Sequence, residues 1–220
     1  MVKVSIYLFI GLFFKMGIAQ TNKTLRFSLV INQKKLELNK TYLLLKDSIT
    51  PRKLIFYISN IECLKNSKVI FKPKENYFLM DLENENLSKI NLETKASFDS
   101  IRFNVGIDSL ANASGAMNGV LDPINGMYWA WQSGYINFKF EGNSKNRSFQ
   151  FHIGGYLSPY KTIKTLTFAV PKNKDVIDLL IDLDKFFKYV NLKELNNIMS
   201  PGEKAVELSD HYKDFILTIK

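Results

Sequence analysis

One cysteine, Cys63, is all the thiol this chain has, so no internal disulfide can brace it. It contains only two histidines, His152 and His211, far apart in sequence. A serine or cysteine triad would have to use one of them, and nothing selects a nucleophile beside either. The G-x-S-x-G elbow, the phosphate-cradling Walker loop, G-x-G-x-x-G and H-E-x-x-H are all missing, so the common hydrolase, nucleotide and zinc-protease chemistries find no motif here. No block of five or six like charges exists despite a net charge of +9. Dispersed lysines on strand-rich sequence solubilise and protect edges, whereas a nucleic-acid binder gathers its cations in a stripe. No Pro- or Ser-rich linker and no fixed repeat divides the chain. No segment after the first stretch approaches the roughly 20 apolar residues of a membrane helix.

What is present begins with a targeting signal. Lys3 precedes an apolar run over residues 4–14, and Gly17, Ile18 and Ala19 offer a cleavage site. That order reads as a secretory signal peptide cut after Ala19, so the mature chain is expected in the periplasm or secreted. No cysteine follows the run, which argues against a lipid anchor. Residues 20–220 have the length of one domain. With 46% hydrophobic residues and 17 phenylalanines, that domain can build its own core.

Alternation of period two dominates the mature chain. Leu25, Phe27, Leu29 and Ile31 alternate with Arg26, Ser28 and Val30, and residues 34–38 form a hairpin partner across Asn32-Gln33. Further strands are expected over 53–61, 69–71, 77–81, 101–107, 135–140, 149–153, 163–170 and 177–183. The expectation is an all-β sandwich, Ig-like or jelly-roll-like, with a long ordered loop and one or two short C-terminal helices. The loop is 108–126, running into the aromatic cluster Met127-Tyr128-Trp129-Ala130-Trp131. The last helix begins with Ser200 as cap, Pro201 at the first position and Glu203 closing a capping box. Ala205, Leu208, Tyr212 and Phe215 make its apolar stripe, and 192–199 is a second short helix.

Few residues carry candidate chemistry. Phe149, Phe151 and Ile153 share one strand face, so His152 points to the other, just before a bend at Gly154-Gly155. A histidine there is either a hydrogen-bonded structural residue or a metal ligand, imidazole being the commonest such ligand. His211 lies opposite the apolar stripe and reads as solvated. The Trp129 and Trp131 cluster is either a core plug or a redox-active or metal-facing aromatic beside a thioether, Met127, whose sulfur suits cuprous ions. Cys63 reads as a small buried hydrophobe. Asp108, Asn112 and Asp122 offer oxygens for calcium without the spacing of an EF-hand. Asp182 and Asp184 read as the wet face of a strand rather than a glycosidase pair, and no enzyme activity is expected.

A family resemblance rests on five stretches and an early one. They are Phe103-Asn104-Val105-Gly106-Ile107-Asp108-Ser109, then Leu121-Asp122-Pro123, then the run from Gly126-Met127-Tyr128-Trp129-Ala130-Trp131-Gln132 through Phe140-Glu141-Gly142. Phe151-His152-Ile153-Gly154-Gly155-Tyr156 and Ile198-Met199-Ser200-Pro201-Gly202 follow, with Tyr57-Ile58-Ser59-Asn60 upstream. Together they resemble the MbnP-like family of copper-associated periplasmic proteins. The resemblance implies a copper site that combines histidine nitrogen with an oxidised tryptophan. It also implies a partner, a di-haem enzyme of the cytochrome c peroxidase type that performs the oxidation. On that basis His152 is the copper ligand, Trp129 or Trp131 the oxidisable residue, and Met127 a supporting donor. The chain departs from a site of two or more histidines, because His211 faces elsewhere; the mature N-terminal amine is the one substitute. The competing function is a non-catalytic module that binds a protein or glycan through its aromatic loop.

Overall fold

The computed structural model describes residues 22–44, 47–132, 134–145, 147–171 and 174–218. The expected signal peptide lies outside them. Two sheets face each other. The smaller contains β1 (Lys23–Ile31), β2 (Lys34–Lys35), β7 (Lys89–Leu92), β13 (Val176–Asp182) and β15 (Ile216–Thr218), in the order β15-β13-β1-β2 with β7 also paired to β1. The alternation read from the sequence sets its inner face. Leu25, Phe27 and Leu29 lie beside Ile177, Leu179 and Ile181 in register, and all are buried. Asn32 and Gln33 turn the chain into β2 with positive φ at both positions, the twist a tight hairpin needs.

The larger sheet is organised by one long strand, β4 (Asp47–Lys65). Its main order is β12 (Lys164–Ala169), β8 (Ser100–Val105), β4, β10 (Gly134–Ser144), β11 (Arg147–Gly154) and β14 (Asn197–Ile198). Strands β3 (Tyr42–Leu44), β5 (Lys68–Phe71) and β6 (Tyr77–Asp81) also pair with β4, and β9 (Tyr128–Trp129) pairs with β10. Along one edge β4 pairs with β10 up to Phe56 and with β8 from Ile58 onward, β6 occupying the opposite edge. The sheet therefore splits at Tyr57, and it curls into a half-barrel.

Between the sheets lies an aromatic core. Phe140 contacts the rings of Phe149 and Phe186 at 5.1 and 5.2 Å, edge to face. Helices α2 (Leu183–Tyr189), α3 (Glu203–Asp210) and α4 (Tyr212–Phe215) close the core with Phe186, Leu208, Tyr212 and Phe215. The outer face of the large sheet is covered by the long loop, which contains α1 (Ser109–Ala113) and two short 3-10 turns. No helix of the described residues is long and apolar enough to cross a membrane.

The architecture is mostly β with two mixed sheets rather than an Ig-like or jelly-roll sandwich, because β1 pairs with β13 and β11 with β14 in parallel. The expected strand end at Leu183 is instead the start of α2, capped by Asp182, which accepts from the Lys185 N–H at 3.2 Å. Residues 192–199 do not form a helix. Pairing of Ile198 beside Phe151 draws that segment onto the sheet edge. The terminal helix starts at Glu203 with Gly202 as its cap, and Ser200 makes no capping bond. Pro201 is packed against Gly155, which holds the chain extended until after the proline. The apolar stripe is as expected, but the helix breaks at His211 into α3 and α4.

Candidate functional site

The site lies on the outer face of the large sheet, where strands β10 and β11 present every second side chain. Phe138 and Phe140 point into the aromatic core, so Lys139 and Glu141 point outward; Phe151 and Ile153 do the same for His152. The antiparallel register sets His152 beside Lys139 and Gln150 beside Glu141. The His152 Nε2 and a Glu141 carboxylate oxygen are 2.7 Å apart. A carboxylate accepts, so Nε2 carries the proton and donates it. That assigns Nδ1 as the unprotonated nitrogen of the neutral ring. Nδ1 has no hydrogen-bond partner among the described residues. The ring is 6% exposed.

Electrostatics favour the same state. Burial holds the His152 imidazole below its ordinary value, and Lys139 and Lys53 add to this, against the pull of Glu141. Burial pushes the Glu141 carboxyl up, but the His152 hydrogen bond and the charges of Lys139 and Lys53 act against it, and the group stays below its ordinary value. A neutral imidazole beside a carboxylate anion is the pairing that fixes a metal-ligating histidine. Lys139 also donates to the Gly126 carbonyl at 3.1 Å and lies 3.6 Å from Glu141. It ties the end of the long loop to the site.

Trp129 lies against the same strand two residues on. A Cβ built at Gly154 would come within 2.6 Å of the Trp129 ring and of the Tyr135 carbonyl, so only glycine lets the indole lie this close. Trp129 is 6% exposed and Trp131 67%, with ring centroids 5.9 Å apart. Met127 is fully buried in an apolar cluster with Trp129, Tyr57, Tyr135, Ile107 and Leu121. The structure thus brings Trp129 to the strand of His152, keeps Trp131 beside it at the surface, and seals Met127 inside. The aromatic cluster is partly a core plug and partly exposed.

The loop over this face is ordered by buried polar clamps. Asn137 sits where β8 and β10 part. Its Oδ1 accepts from the Ile107 N–H at 2.9 Å, and its Nδ2 donates to Thr162 Oγ1 at 2.9 Å. Gly106, at φ +116°, leaves the space this amide fills. Asn112 donates to the Ile107 carbonyl and accepts from the Tyr135 N–H. The phenol of Tyr57 donates to the Val120 carbonyl at 2.9 Å. Beyond Gly154, the segment 155–162 loops out and is closed by the Thr162 N–H donating to the Gly155 carbonyl at 3.0 Å. Between this loop and Trp129 is a cleft of about 290 Å³.

Other sequence candidates resolve into local roles. Asp108 caps α1 and accepts from the Tyr77 phenol at 2.5 Å, Asn112 is a clamp, and Asp122 caps a 3-10 turn. Their oxygens do not converge, and no group of three or more His, Cys, Asp or Glu side chains suited to a metal occurs among the described residues. Asp182 caps α2, and Asp184 accepts from the Asn32 N–H. Cys63 is buried in the core, which pushes its thiol up to about 12. His211 is not freely solvated. It stacks on Tyr189 at 3.6 Å and its Nδ1 lies 2.9 Å from Asp214, in a cleft lined also by Lys188, Glu194, Lys204 and Glu207.

Glu141 and Asn137 are the residues that sequence reasoning missed. The signal for Glu141 was available: folding β10 and β11 about a turn near Lys145 sets 139 opposite 152 and 141 opposite 150. Asn137 stands out as the one amide within the apolar run 135–140.

Compared with known proteins, the chain matches the family model for MbnP over residues 20–200. No curated protein matches it in sequence. Among solved structures it is similar to MbnP from Methylosinus trichosporium, with a TM-score of 0.59 and 12% identity, over 84% of this chain and 86% of that one. At that identity the likeness concerns the fold.

Proposed function

The chain belongs to the MbnP family, and from that premise we propose that it is a copper-handling protein exported to the bacterial cell envelope. One observation carries the reading. The buried imidazole of His152 has its Nε2 against the Glu141 carboxylate, which accepts its hydrogen bond, and its Nδ1 has no hydrogen-bond partner among the described residues. Imidazole nitrogen is a good donor to either copper oxidation state. The signal peptide expected over residues 1–19 supports export.

Copper here is cargo. One free ring nitrogen is fewer donors than a closed site uses, and no further His, Cys, Asp or Glu cluster completes it among the described residues. Donors brought with the ion, or the mature N-terminal amine, fill the remaining positions. A site with one anchoring protein ligand exchanges its ion readily, which suits transfer more than storage. Trp129 and Met127 share one buried apolar cluster, and in this reading Met127 is the supporting soft donor. Trp131, exposed, is the indole that a di-haem partner of the cytochrome c peroxidase type would touch, and Trp129 follows it at 5.9 Å. Calcium has no comparable support.

The test is metal analysis of the mature protein after cuprous loading. About one ion per chain is expected, removable by a competing chelator, and lost in His152→Ala while the circular dichroism spectrum is unchanged. Unchanged stoichiometry in that variant would remove His152 from the site. A mass change confined to a tryptophan-containing peptide, after exposure to a di-haem oxidant, would support the second half of the reading.

A further inference from the structure

The cleft beside Trp129 has a chemistry of its own. Its lining includes Trp129, Gln132, Gly155, Tyr156, Ser158 and Tyr160. In a protein with 23% charged residues, none of the lining residues is charged. His152 is not among them. Tyr156 and Tyr160 offer ring surface, Trp129 reaches the cleft only with the small exposed edge of its indole, and the exposed indole of Trp131 stands next to it.

The polar groups are unspent. The Trp129 Nε1–H, the Gln132 amide and the hydroxyls of Tyr156, Ser158 and Tyr160 form no side-chain hydrogen bond with the described residues. That is a different pattern from the neighbouring loop, where Tyr57, Asn112, Tyr135 and Asn137 all satisfy theirs within the protein. A lining of aromatic faces with neutral donors and acceptors suits a ligand with an apolar face and hydroxyl edges. A charged ligand would find no counter-ion. A purely apolar one would strip water from five polar groups without replacing it.

The cleft is also built in advance. Gly155 has φ +139°, and a Cβ there would come within 2.1 Å of the Tyr160 carbonyl oxygen, so glycine alone permits the loop to close this tightly. Thr162, clamped by Asn137, secures its far end. A preformed wall loses little freedom when it binds.

The geometry points to a neutral saccharide as the occupant: one or two pyranose rings stacked on Tyr160 and Tyr156 at the edge of Trp129, with their hydroxyls paired to Gln132, Ser158 and the Tyr156 phenol. The volume lies at the small end for ligand sites and fits a short sugar rather than a long chain. This site is separate from the copper reading and stands without it.

The experiment titrates the mature protein with cellobiose, maltose and N,N′-diacetylchitobiose, with tryptophan emission as the readout and calorimetry to confirm. At least one sugar should produce a saturable change in the millimolar range. Tyr160→Ala and Gln132→Ala, both at exposed positions, should each weaken it about tenfold. His152→Ala should leave it in place. The assignment is overturned if no sugar saturates, or if both cleft variants bind as the parent does. It is equally overturned if indole binds where the sugars do not, or if His152→Ala abolishes sugar binding.

Discussion

The two faces of the large sheet are both covered, but by opposite means. On the inner face, Phe138, Phe140, Phe149 and Phe151 meet the small sheet and the C-terminal helices in a continuous apolar contact. On the outer face, a shorter apolar cluster is interrupted by His152, Glu141, Asn137 and Asn112, each with a defined hydrogen bond. The same strands supply both. Side chains on one side of the pleat hold the molecule together, and those on the other position an imidazole and a loop. Stability without disulfides thus rests on the face that has no chemistry, which leaves the outer face free to keep buried polar groups.

That division can be broken most severely from the inside. Phe140→Ala removes the ring that contacts Phe149, Phe186 and Phe187, and should cost about 3–5 kcal/mol in denaturant unfolding. A loss below about 1 kcal/mol would mean that the inner face is not the main source of stability. On the outer face, Asn137→Ala leaves the Ile107 N–H unpaired and weakens the hold on Thr162. A cost of about 1–3 kcal/mol is expected, with faster amide exchange confined to 106–127 and 155–162. Uniformly faster exchange would show that the clamp serves the whole fold instead.

Acid should act on the outer face first. His152 and Glu141 both have folded-state values below their ordinary ones of 6.5 and 4.5. Their contribution is therefore present above those values and is lost as pH falls through the folded ones. Stability measured against pH should decline below about 6.5, and the upper part of that decline should vanish in His152→Asn. The smallest effect returns to the inner face. The Tyr212 hydroxyl is fully buried without a hydrogen-bond partner among the described residues, so Tyr212→Phe should be neutral or slightly stabilising in thermal melts. A clear destabilisation would reveal a hidden partner for that oxygen.

The inner face was the more legible from sequence. Alternation in β1, β8 and β13 marked their buried residues directly, since each strand has one wet side. The parallel pairing of β1 with β13 was not, because it joins the two ends of the chain and no local pattern encodes it. Helix α2 hid for another reason: Leu183 and Phe186 continue the apolar content of the preceding strand, and only the Asp182 cap marks the change of period. On the outer face, His152 stood out beside its glycines, and the long loop was expected to be ordered. Glu141 is legible only through the hairpin register, which sets 141 opposite 150 and beside His152 once β10 and β11 are paired. The cleft drew its walls from three separated segments and could not be seen in any one of them.

The central claim is the protonation state of one ring, and nitrogen NMR of the labelled mature protein at neutral pH reads it directly. The account predicts that His152 is protonated at Nε2 and bare at Nδ1, and that cuprous ions shift the Nδ1 resonance first. A proton found on Nδ1, or a ring that does not respond to the metal, would contradict it.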